Sequence, residues 1–432
     1  MISFGTLKTL AFASISEFIG VGVAGASGLL IVNVMPKDQY AQYTFLIACT
    51  TLWTGLSDIG VNHCYLPMVG TRNGEGGWIL VVARHLYSLR VRLLTVAAIV
   101  ILPYWMYVSV THAWWNSGYV VASVLAAMSV LVTLRAHVLT QILVILRRVR
   151  ELSRANTLGN LIRLGAIGAI VYWIPPQFQL PVVLAASAIA TFAIVAIYWR
   201  DATVNGFGRV QISEEARAEL TQKTKAILVP LLLPAIFYQF QGIITVAMAT
   251  TFGHSGTVAE VGALSRLSMI LLVVDRVTAM LLFPNIARSP SGKPLRLQIL
   301  RAHSLYLGCM ALVVLSAVMF QSYWILLLGS KYVAQKSLVW LAVLSAVLMN
   351  GSGFAFTTLS SRGQASSQTL VIPVILVIQL VYVVTMGVGD TRHALGFAVV
   401  TALCYFFFQY ALLARYLAIT PVYDMKNQLH VL

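Results

Sequence analysis

The sequence predicts an all-α polytopic membrane protein of about twelve transmembrane helices, arranged as two six-span halves. Three observations predict it. The chain is 59% hydrophobic and 10% charged, with mean hydropathy +0.85 over 432 residues, against about 25% charged residues in a soluble domain. Its length divides into roughly twelve apolar stretches, each long enough to cross a bilayer, and leaves no room for a sizeable soluble domain. With the N-terminus placed in the cytoplasm, 21 of the 29 Lys and Arg fall in inner loops and only four, Lys37, Lys331, Lys336 and Arg392, in outer ones. That bias orients the chain with both termini cytoplasmic.

The spans read as 9–35, 39–69, 86–110, 116–146, 153–174, 180–200, 226–252, 257–286, 297–320, 333–360, 368–389 and 393–418. Residues 1–30 have too long an apolar stretch for a signal peptide and carry Glu17, so they read as a retained first span. Outer loops are short turns, such as Ile174-Pro175-Pro176-Gln177 and Gly253-His254-Ser255-Gly256. Inner loops are longer and basic: Arg72 to Arg92, Arg147 to Arg154, Arg200 to Lys225 and Arg288 to Arg301. The longest divides the chain into a bundle over 1–205, a linker over 206–225 and a bundle over 226–432. Within the linker, Glu214 and Glu215 open, and Lys223 and Lys225 close, a short helix suited to lie on the membrane. Shifting the sequence by 217 residues superposes Asp58 on Asp275 and Pro67 on Pro284, which indicates a parallel repeat.

The net charge of +16 matches a cytoplasmic face beside anionic lipid headgroups and gives little support to nucleic-acid binding. Cys49, Cys64, Cys309 and Cys404 all lie in apolar spans without metal or disulfide spacing. No H-E-x-x-H, G-x-S-x-G or P-loop pattern is present. The short outer loops also argue against a membrane polymerase or glycosyltransferase, so the chain reads as no enzyme and no cofactor protein.

Four arginines remain inside apolar stretches: Arg135, Arg163, Arg266 and Arg276. Charge in hydrocarbon is costly, so each is expected to face a polar cavity or a buried partner. The planar guanidinium grips phosphate oxygens through paired hydrogen bonds, which makes these four the candidate substrate-binding residues for an anionic cargo. Glu17, Asp58 and Asp275 are candidate proton- or cation-coupling groups, because an apolar setting raises a carboxyl pKa; each has an alternative reading as half of a static ion pair. Gly20, Gly25 and Gly28 lie in the run GVGVAGASG of span one, which serves either close helix packing or a bendable gate. Pro230 and Pro234 are expected to kink span seven. Tyr238, Gln239, Gln241, the Asn350–Gly353 patch, Gln379 and Gln409 read as interhelical hydrogen-bonding groups, or as a sugar lining.

Four segments carry a family resemblance. Residues 35–70, MPKDQYAQYTFLIACTTLWTGLSDIGVNHCYLPMVG, resemble the span-one-to-two region of Wzx-type polysaccharide flippases of the multidrug/oligosaccharidyl-lipid/polysaccharide exporter superfamily. Residues 257–288, 326–364 and 145–165 resemble its second-half counterpart, the G-x-x-Y segment with its exit, and the loop between spans four and five; Asp275-Arg276 departs from the pattern. The resemblance implies two six-helix bundles around a central cavity, with spans one, two, seven and eight as its lining and portals. It implies a polyprenyl-pyrophosphate-linked oligosaccharide as cargo, for O-antigen, capsule or exopolysaccharide synthesis. It also implies proton- or sodium-gradient coupling, and the bacterial inner membrane, its lipids and polymerase machinery as surroundings. An ion-coupled antiporter of drugs or metabolites, and a non-transporting scaffold, are the rival readings.

Overall fold

A computed structural model describes residues 4–70, 76–146, 148–203, 214–269, 271, 286, 292–360 and 369–419; over 4–18 only the backbone is described. Helices dominate, and no strand occurs among the described residues. They run α1 (Phe4–Val34), α2 (Lys37–Asp58), α3 (Tyr65–Val69), α4 (Gly76–Thr111), α5 (Ser117–Ile145), α6 (Val149–Trp173), α7 (Gln179–Thr203), α8 (Glu214–Phe252) and α9 (Ser255–Ser265). After them come α10 (Lys293–Met319), α11 (Gln321–Leu326), α12 (Val339–Ser360), α13 (Val371–Met386) and α14 (Thr391–Ile419). Eight stretches of described residues are long and apolar enough to cross a membrane, and Ile19–Val34 and Val371–Met386 are shorter apolar helices. The chain is a multi-pass membrane protein.

The chain divides into two compact units, Met1–Gly262 and Ala263–Leu432. In the first, α5 packs against α7, α1 against α6, and α2 against α4, α5 and α8. In the second, α14 packs along α12 and α13, and α10 along α12. There His303 bridges three helices: one ring nitrogen meets the Tyr410 hydroxyl at 3.1 Å and the other the Thr358 hydroxyl at 3.2 Å. Gln379 donates to Thr401 Oγ1 at 3.1 Å, an interhelical tie rather than a free amide.

Three local features differ from the sequence expectation. Asp58 lies within the apolar span Lys37–Val69 but at a break in it: it is the last residue of α2, because Ile59 (φ 29°) and Gly60 (φ 85°) turn the chain left-handed into a 3-10 turn at Val61–Cys64. The stretch read as an inner loop up to Arg92 is helical from Gly76 onward. Residues 214–225 form no separate surface helix, since α8 runs unbroken from Glu214 through Pro230 and Pro234 to Phe252. Leu220 and Thr224 explain that continuity. Both are buried, Leu220 in the cluster with Met68 and Val69, and Thr224 against Met68 and His85. The Asn350–Gly353 patch likewise lies within unbroken α12.

Candidate functional site

Within the first unit, α2, α5, α6 and α7 enclose a polar cavity of about 230 Å³. Hydroxyls line it: Thr50, Thr51 and Thr54 from α2, Ser129 and Thr133 from α5, and Ser187 and Thr191 from α7; α6 adds Asn160 and Arg163. Small hydroxyl residues are tolerated in these helices because each can donate to a carbonyl one turn back. Thr50, Thr54, Ser129, Ser187 and Thr191 all do so, at 2.7–3.0 Å. With their protons held by the backbone, these oxygens keep lone pairs as acceptors.

Arg163 is the one cationic residue in that lining. Its Nη2 donates to the Tyr43 hydroxyl at 3.2 Å, and its Nε is buried with no hydrogen-bond partner among the described residues. No carboxylate lines the cavity, and no ion pair of Arg163 occurs among the described residues. A half-buried guanidinium with donors to spare and no counter-ion among the described residues is suited to hold an anion. Asn160 holds the frame: its amide donates to the Gly20 carbonyl of α1 at 3.1 Å. Gly20 is thereby part of the α1–α6 packing, whereas a Cβ at Gly25 would meet nothing; Gly28 is buried.

The C-terminal end of α2 carries a second polar cluster, and its central residue was not legible as a site. Arg90 is 0% exposed, on the buried α4 stripe of Val82, Leu86, Leu94, Ala97 and Ile101. Its Nη2 lies 3.8 Å from Asp58 and 3.1 Å from His137 Nδ1, and its Nη1 lies 3.5 Å from Asn62 Oδ1. Arginine only donates, so His137 accepts through Nδ1 and carries its proton on Nε2. Asp58 also accepts from the Asn62 backbone at 3.0 Å and side chain at 2.8 Å. The Asp58 carboxylate thus pairs with Arg90 and accepts from Asn62 in the 3-10 turn, a cluster that joins α2, α4 and α5. The signal that could have found Arg90 was its helical spacing from Leu86 and Leu94 on an apolar stripe.

The other expected residues disperse. Arg135 is exposed on α5, on the same face as Val124, Met128 and Leu131, outside the cavity that holds Arg163. Arg266 is half-buried in a 3-10 turn of the second unit, where it has a partner. Asp275, Arg276 and the Glu17 side chain lie outside the described residues.

At the opposite end of the unit, α8 and α9 are clamped to α2 and α4. Lys37 pairs with Glu260 at 2.5 Å. His112 Nε2 donates to the Thr250 carbonyl at 2.8 Å, and Tyr104 donates to the Ala247 carbonyl at 3.2 Å. Gly262 permits this approach, since a Cβ there would collide with Thr44; near the Asp58 end of α2, Gly55 does the same for α8, where a Cβ would collide with the Gln239 side chain.

No family profile and no curated protein matches the chain. Solved structures do match in fold. An inward-facing multidrug resistance MATE family transporter of the MOP superfamily aligns with TM-score 0.67 and 16% identity, over 94% of this chain and 96% of that one. A MOP superfamily transporter from Pyrococcus furiosus Vc1, for which reverse polarity of the binding pocket suggests a different function, aligns with TM-score 0.59 and 16% identity, over 95% and 96%. An outward-facing MATE transporter of the same superfamily gives 0.54 and 15%, over 95% and 96%. The chain therefore has the fold of these transporters, two six-helix bundles.

Proposed function

We propose that this chain is an alternating-access transporter of the bacterial inner membrane, with both termini cytoplasmic, that flips a polyprenyl-pyrophosphate-linked oligosaccharide for surface polysaccharide synthesis. One observation carries the reading: Arg163, with no counter-ion among the described residues, lines a cavity whose other polar groups are mainly hydroxyl acceptors. A cargo that satisfies both must present anionic oxygens to the guanidinium and donor hydroxyls to the threonines and serines. Phosphorylated sugars have that combination. The polyprenyl tail stays in lipid, where its transfer costs nothing.

The fold supports alternating access, since its solved relatives include inward- and outward-facing states. The P. furiosus transporter shows that pocket polarity varies on this fold. Antiport of cationic drugs fits less well, because no carboxylate lines the cavity. With Asp58 committed to Arg90, coupling to a proton or sodium gradient falls to Glu17 or Asp275 in this reading.

The test uses a strain lacking its own copy. Lysine at position 163 keeps the charge and loses the fork; alanine loses both. At equal protein levels, surface glycan falls in the order wild type, Arg163→Lys, Arg163→Ala. Full export by Arg163→Ala sinks the proposal.

A further inference from the structure

A second cavity, of about 290 Å³, lies at the end of the first unit where the α1–α2, α4–α5 and α6–α7 connections meet, opposite its basic loops. Its lining includes Gln39 and Gln42 from the first turns of α2, Asn116 and Tyr119 at the start of α5, and Gln177 and Phe178 from the turn before α7. No charged residue lines it. Some amide capacity is already used: Gln39 Oε1 accepts from the Leu180 backbone at 3.3 Å, and Asn116 Oδ1 accepts from the Tyr119 backbone at 2.8 Å. Both keep their NH₂ groups. Gln42 is only 6% exposed overall. Phe178 is 52% exposed and offers an open ring.

Gln42 is not among the residues with an enclosed, unpartnered polar atom, and it lines the cavity, where its amide can meet a ligand. The ligand class follows from what the walls lack. A phosphate needs cationic donors, and none is present. An apolar chain would leave four amides unsatisfied. Neighbouring hydroxyls of a sugar ring donate and accept together, as a side-chain amide does, and the ring's C–H face suits an aromatic. The volume sits at the lower end of the ~300–1,000 Å³ of small-molecule sites, enough for one or two rings. We propose that this cavity is a neutral-sugar binding site on the outer side of the membrane, which takes a ring of the glycan on its way out. The proposal rests on the glycan-transport reading only for the origin of the sugar.

Saturation-transfer-difference NMR tests it on the full chain, purified in a detergent without a sugar headgroup. The probes are glucose, galactose, N-acetylglucosamine and rhamnose, with inorganic pyrophosphate as competitor. At least one sugar receives saturation, and pyrophosphate leaves that signal unchanged. Gln177→Ala and Phe178→Ala, at exposed turn positions that spare the fold, each weaken binding about fivefold or more, the loss of roughly one net hydrogen bond or contact. Silence from all four sugars, a signal that survives both variants, or displacement by pyrophosphate overturns the site. Arg163→Ala should leave the sugar signal intact. If glycan export proves indifferent to Arg163 while the sugar still binds, the transport reading falls and the pocket stands. If export needs Arg163 and no sugar binds, only the pocket falls.

Discussion

Removing Arg90 gives the sharpest test of how the first unit is held together. At 3.8 Å from Asp58, a unit-charge pair at an effective dielectric near 20 attracts by about 4 kcal/mol, most of it offset by desolvation. The net pair is worth little, but breaking it is costly, roughly 3–5 kcal/mol when one buried charge is left alone. Asp58 keeps 22% of its side chain exposed and retains both Asn62 donors, which puts Arg90→Ala at the lower end, about 3 kcal/mol. For a unit of this size that lowers the unfolding midpoint by roughly 6 °C. Tryptophan fluorescence during heating in detergent reads it, since Trp53 and Trp78 pack in neighbouring clusters. Replacing both charges, Arg90→Met with Asp58→Asn, recovers at least half of the loss, because a neutral pair of similar volume leaves no orphan charge. The double variant also keeps transport if Asp58 is a clamp rather than a coupling group. A wild-type midpoint for Arg90→Ala, or a double variant no better than the single one, refutes the reasoning.

Other outcomes follow from the same packing. Gly55→Ala forces Gln239 off α2 and costs about 1–3 kcal/mol by overpacking; adding Gln239→Ala restores the midpoint, and failure to restore it would show that the contact is not the cause. Lys37→Ala strips the counter-charge from Glu260, whose side chain is 10% exposed, and costs roughly 1–3 kcal/mol; exchanging the two residues should return most of it. The 21-to-4 bias predicts that a cysteine placed at Gln177 reacts with an impermeant maleimide in whole cells and one at Arg150 only after permeabilisation; the reverse pattern would invert the topology.

The sequence was informative where the physics is local. Each span is a run of apolar residues, and hydropathy reads it without knowledge of its neighbours; α5, α7 and α14 lie where their runs lie. Helix boundaries were less legible. Arg90 was assigned to a loop because charge near an apolar run looks like a flank, and only its burial against α2 and α5 makes it interior. Likewise Glu214–Lys225 has the composition of a surface helix, yet Leu220 and Thr224 dock on α3 and α4 and extend α8 through it.

Composition and periodicity by themselves determined that the chain is helical and membrane-embedded. They could not separate Arg163 from Arg135, since both are single arginines in apolar runs. Which faces a hydroxyl-lined cavity and which an exposed apolar stripe depends on the rotation of α6 and α5 about their own axes. That rotation is set by side chains far apart in the chain, such as Asn160 bonding to Gly20 and Arg163 to Tyr43. Nor does sequence show whether a carboxylate is free: Asp58 becomes a clamp only when α4 brings Arg90 beside it. Hydrophobic burial selects the helices residue by residue, while the pairing of buried charges is a contact between helices and exists only once they pack.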